Sequence, residues 1–79
     1  MAKAENDAAE LIEFITRAIV SDKDAIKVNV RDGGSLLELE TAPDDRGRVI
    51  GRQGRVAKAL RAILVASRVG ADCRLDIVD

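Results

Sequence analysis

The chain has 79 residues, 47% hydrophobic and 34% charged, with 13 basic against 14 acidic side chains, no His and one Cys. A chain this short buries about 60% of its unfolded surface and forms one small core, which leaves little room for a catalytic cleft. A lone cysteine without histidine excludes an intrachain disulfide and a multi-cysteine zinc site, and no run reaches the roughly 18 apolar residues that span a bilayer.

The polar stretch 1–6 has no apolar signal core; it is expected to be a disordered tail of one domain covering residues 1–79, in the cytoplasm by default. Helical spacing of Ala8, Leu11, Ile12, Ile15, Ala18 and Ile19 predicts a helix over residues 7–20, with Phe14, the only aromatic, adding core bulk. Asp7 and Glu10 have the spacing of a capping box, and Glu13 and Arg17 form an outward i,i+4 pair. From Ile26 the period changes to two: Ile26, Val28 and Val30 alternate with Lys27, Asn29 and Arg31. Asp32-Gly33-Gly34 is a tight-turn signal, and a second strand over residues 36–41 completes an antiparallel hairpin.

Pro43 stops that strand and suits a first helical turn, so a short helix is expected over residues 44–50 with Asp44 and Asp45 at its positive end. Gly51 and Gly54 interrupt it. A longer helix over residues 55–69 is expected to bury Val56, Leu60, Ile63 and Leu64, to carry Arg55, Lys58 and Arg61 on another side, and to end at Gly70. Cys73, Leu75 and Ile77 then alternate with Arg74 and Asp76 in a closing strand, which makes Cys73 a small core residue. The order α-β-β-α-α-β predicts an α+β fold with one three-stranded mixed sheet and helices packed on one face. The two-helix crossover places the second and last strands parallel and adjacent.

Charge is distributed unevenly along this chain. Residues 46–68 hold seven basic residues (Arg46, Arg48, Arg52, Arg55, Lys58, Arg61, Arg68) and no acid, so all fourteen acids lie elsewhere. Such a segregated basic segment suits a polyanion. Inside it, Gly51-Arg52-Gln53-Gly54 joins two helices through a tight turn that exposes backbone N–H groups at a helix N-terminus, where phosphate binds readily. A mere corner between helices would need the glycines but not the basic flank; Arg61 and Arg68, taken singly, are compatible with solvated helix charges.

The run Val49-Ile50-Gly51-Arg52-Gln53-Gly54-Arg55 resembles the I-G-x-x-G signature of KH domains, and the element order matches their type II, bacterial form. Residues 42–61 are similar to the small single-KH-domain proteins of the KhpA type. The resemblance implies a cytoplasmic RNA-binding, chaperone-like protein that forms homodimers or pairs with a larger KhpB (Jag)-type KH protein, with links to cell elongation. It implies that Gly51, Arg52, Gln53 and Gly54 clamp the backbone of about four single-stranded nucleotides. Arg48, Arg55 and Lys58 would then neutralise phosphates, and Ile50, Val49, Val56 and Leu39 would form an apolar floor. The scarcity of aromatics excludes a base-stacking platform, so low base selectivity is expected.

Two other classes compete with this one. A nucleotide-binding enzyme could use Gly47, Gly51 and Gly54, but neither G-x-x-x-x-G-K-[ST] nor G-x-G-x-x-G is present, and no general base or metal cluster accompanies them. No enzyme activity, cofactor or metal is therefore expected. A KH-fold interaction module or ribosome-assembly factor with incidental RNA contact is the second alternative, which the intact, arginine-flanked loop disfavours.

Overall fold

The computed structural model describes residues 6–78. Most of the expected tail, residues 1–5, lies outside the described residues, but Asn6 belongs to the fold. Its Oδ1 accepts the Ala9 N–H at 2.8 Å and caps α1 (Asp7–Arg17). The cap is thus Asn6 and not Asp7; Asp7 and Glu10 sit in the first turn, where acids complement the helix dipole. α1 stops earlier than expected because Ala18 and Ile19 turn their N–H groups back to Ile15 and Thr16 in a tightened last turn.

The strands β1 (Lys27–Arg31) and β2 (Leu36–Glu40) pair antiparallel, with Val28 opposite Leu39 and Val30 opposite Leu37. The turn between them carries three successive positive φ angles, at Asp32, Gly33 and Gly34. After β2 come α2 (Pro43–Ile50), α3 (Arg55–Ala66) and β3 (Arg74–Ile77). β3 lies parallel to β2 with Leu75 beside Leu37 and Ile77 beside Leu39, so β2 is central and β1 and β3 are edges. This is the expected α+β order with a mixed sheet, and the αα crossover does join parallel neighbours.

One face of the sheet, through Leu37, Leu39 and Leu75, meets Ala8, Ile12, Val49, Leu60 and Leu64 of the helices in an aliphatic core. The register puts Asn29, Glu38 and Asp76 abreast on the opposite, polar face. Burial corrects several assignments. Phe14, expected in the core, is 77% exposed, because it lies about 200° around α1 from fully buried Ile12. Ala18 is exposed too, while Thr16 is buried and donates its hydroxyl to the Ile12 carbonyl at 2.7 Å. On α3, Ala57, Leu60 and Leu64 form the buried stripe, and Ile63, expected within it, is 45% exposed.

α3 ends at Ala66, with Ser67 as its C-cap, and not at Gly70. Ser67 Oγ donates to the Leu64 carbonyl and accepts the Gly70 N–H at 3.0 Å. Gly70 is needed for a different reason than capping: a Cβ there would overlap the Leu64 side chain. Cys73 is half-buried and its thiol donates to the Gly34 carbonyl.

Candidate nucleic-acid interface

The loop between α2 and α3 is built by backbone conformation more than by side chains. Gly51 closes α2 by donating to the Gly47 carbonyl at 2.8 Å, then turns out with φ 79° and ψ 169°, a region open essentially to glycine alone. A Cβ on Gly51 would come within 2.5 Å of Val56 Cγ2 and 2.7 Å of the Val56 backbone N. Gln53 (φ 57°, ψ 25°) and Gly54 (φ 75°, ψ 16°) follow in the left-handed region, and the Arg55 N–H bonds the Arg52 carbonyl across them as a type I′ turn. Gln53 is one of two non-glycine residues with positive φ among the described residues, so the tip stores about 1 kcal/mol of strain. Left-handed turns of this kind gather successive N–H groups on one side into an anion-binding concavity.

Gly54 is also the N-cap of α3, which has neither a side-chain cap nor an acidic residue in its first turn. α1 and α2 each carry two acids there. The positive end of α3 is therefore left uncompensated beside the loop. Arg52, Gln53, Arg55 and Lys58 are all exposed around it, Ile50 is partly exposed and Val56 half-buried.

Three expectations shift. Val49 and Leu39 have no exposed surface and belong to the core, so they cannot floor a groove open to a ligand. Arg48 leans toward the loop after α1, donating to Ser21 Oγ at 3.1 Å and lying 4.0 Å from Asp45 Oδ1. Asp45, expected to serve the dipole of α2, is buried and accepts the Ser21 and Asp22 N–H groups at 3.1 and 3.0 Å, fastening that loop to α2. Those hydrogen bonds, the one from Asp22 foremost, hold its carboxyl below the ordinary value against the opposing effect of burial.

A second feature was missed by sequence reasoning. Between α3 and β3 runs a groove of about 310 Å³ lined by Arg61, Leu64, Val65, Cys73, Arg74, Leu75 and Asp76. Arg61 is more than a solvated helix charge, since its Nε donates to the Leu75 carbonyl at 2.9 Å. Lys58, Arg61 and Val65 follow one another at i, i+3 and i+7, so one face of α3 leads from the loop to this groove. The alternation around Leu75 marks a strand, but only the strand order makes it an edge with a groove beside it.

A KH loop on an αββααβ scaffold defines the class, and comparison with known proteins agrees. The family model for the KH domain of KhpA/KhpB matches residues 9–77, and the chain belongs to that family. An RNA-binding protein KhpA from Borreliella burgdorferi is 40% identical over 74 residues, covering 89% of this chain and 90% of the relative. The RNA-binding protein KhpA of Halalkalibacterium halodurans is 44% identical over 73 residues (87% and 96%), and that of Streptomyces coelicolor 42% over 72 (89% and 90%). These relatives are named as RNA-binding proteins and not as enzymes, in agreement with the expectation of no catalytic activity. No solved structure matches the chain.

Proposed function

We propose that this protein binds single-stranded RNA, holding the phosphate backbone at Gly51-Arg52-Gln53-Gly54 and the N-terminus of α3. The observation that carries the reading is the left-handed pair Gln53-Gly54 opening directly into a helix with no side-chain cap and no first-turn acid. Phosphate supplies the negative charge that this helix end lacks. Arg52, Arg55 and Lys58 add charge-assisted contacts, and the strand continues along α3 into the groove beside β3. The names of the relatives support the same ligand.

No helix among the described residues is long and apolar enough to cross a membrane. The proposal takes from the family resemblance a cytoplasmic role as an RNA chaperone or post-transcriptional regulator linked to cell elongation. It also takes from it a homodimer, or a heterodimer with a larger KhpB-type protein. Exposed Phe14, Ile63, Val65 and Val69 support a protein partner. They also favour the second reading, an interaction module with incidental RNA contact.

The discriminating experiment is Arg52→Asp with Gln53→Asp. Two carboxylates at the loop tip should weaken RNA binding by about 2 to 4 kcal/mol in a fluorescence-anisotropy titration with a short single strand. Folding should be preserved, because both side chains are exposed and Asp occupies the left-handed region more readily than Gln. A folded variant that binds as tightly as the parent would reduce the loop to a corner between helices.

A further inference from the structure

We infer that Arg61 makes the groove beside β3 select guanine over adenine; the inference rests on the RNA-binding reading above. Arg74 N–H bonds the Ser35 carbonyl and Val78 N–H bonds the Leu39 carbonyl, so residues 74, 76 and 78 direct their backbone groups to β2. By the two-residue period of a strand, Leu75 directs its own N–H and C=O to the free edge, into the groove. A bare edge of this kind offers a donor beside an acceptor. Adenine presents the complement, an N7 acceptor beside an N6 amino donor.

Arg61 alters that pattern. Its Nε donates to the Leu75 carbonyl at 2.9 Å and, with Leu75 only 2% exposed, closes that acceptor to a ligand while orienting the guanidinium from α3. The terminal Nη1 and Nη2 atoms replace it with a rigid fork of donors. The groove now offers donors only along this edge, and an amino group placed there finds no partner. Guanine carries two adjacent acceptors, N7 and O6, which match the arginine fork in the commonest specific protein–base contact. Uracil has O4 and O2, separated by the N3–H, and no two adjacent acceptors. Val65, exposed on α3, supplies an apolar wall for the guanine ring. Aliphatic packing replaces the stacking that a chain with one exposed Phe cannot provide.

The test uses labelled octamers of alternating sequence, whose composition is independent of binding register. In an anisotropy titration at fixed salt, the intact chain should bind (GU)4 at least about fivefold more tightly than (AC)4, with U8 between them. Arg61→Lys keeps the charge but loses the fork, and should bring (GU)4 and (AC)4 within about twofold of each other. Arg61→Ala, which unmasks the Leu75 carbonyl, should favour (AC)4, and thermal melts of both variants establish that the fold is retained. The loop variant Arg52→Asp with Gln53→Asp should weaken all octamers together and leave their ratio unchanged. Equal binding of the two repeats by the parent, or a (GU)4 preference that survives Arg61→Lys, overturns the role of Arg61 while RNA binding stands. Failure to bind any octamer overturns RNA binding itself, and the selectivity with it.

Discussion

Gly51 and Gly54 are equivalent in the sequence signature, yet their replacement by Ala should have very different consequences. At Gly51 the backbone region costs about 1 to 3 kcal/mol for any residue with a Cβ. The added methyl also meets Val56 Cγ2 at 2.5 Å and the Val56 backbone N at 2.7 Å. The side chain could rotate away, but the backbone nitrogen belongs to the first turn of α3 and can yield only if the helix moves. Overpacking of this kind costs about 1 to 3 kcal/mol more, giving a total of about 2 to 6. At Gly54 the cost is the left-handed conformation alone, about 1 kcal/mol, because a Cβ there meets nothing within 4 Å. A domain of this size has about 4 to 12 kcal/mol in all, so Gly51→Ala removes a large share. The difference of at least about 1 kcal/mol should appear as a melting temperature lower by at least about 4 to 8 °C for Gly51→Ala than for Gly54→Ala. Circular-dichroism melts and urea titrations with unchanged slope provide the measurement. Melting temperatures within 3 °C of each other, or a less stable Gly54→Ala, would refute the assignment of Gly51 as the sterically locked glycine.

With three or four phosphates neutralised at the loop, a log–log plot of RNA affinity against salt should have a slope of roughly -2 to -3; a flat response in the same titration argues against a phosphate clamp. Asp45 has its carboxyl pKa lowered in the fold, so its stabilisation is present above the unfolded value of about 3.9 and is lost as pH falls through the depressed folded value. Asp45→Asn should therefore flatten the fall in melting temperature below about pH 4 and lower stability at neutral pH; an unchanged acid limb would show that another group governs it. Leu64→Ala should cost about 2 to 5 kcal/mol, while Ile63→Ala, one residue away, should cost under about 1, as read from urea midpoints. Phe14→Ser should leave stability within about 0.5 kcal/mol, and sedimentation reports whether that face contributes to self-association.

The order of elements, the hairpin turn at Asp32-Gly33-Gly34 and the glycine loop are local events, and local spacing encodes them. Period-two alternation around Val28, Leu37 and Leu75 marks each strand, Pro43 marks a helix start, and Gly33-Gly34, Gly51 and Gly54 mark the two turns that adopt positive φ. The separation of basic residues 46–68 from the acids is equally a property of the chain. Which of two neighbouring apolar residues points inward is a different matter. Ile63 and Leu64 satisfy helical periodicity almost equally well, and the choice falls to the surface that the helix packs against. The position of α3 over the sheet directs Leu64 into the core and leaves Ile63 outside. Distance along the chain likewise conceals the contacts of Asp45 with the loop at Ser21 and of Arg61 with Leu75. The Arg61 contact requires β3 to pair with β2 on one side and leave its other edge open beside α3, and that strand order is set only when the crossover closes. The loop is thus written in conformational preference, residue by residue, whereas the groove beside it exists only because packing brings a helix and a strand edge together.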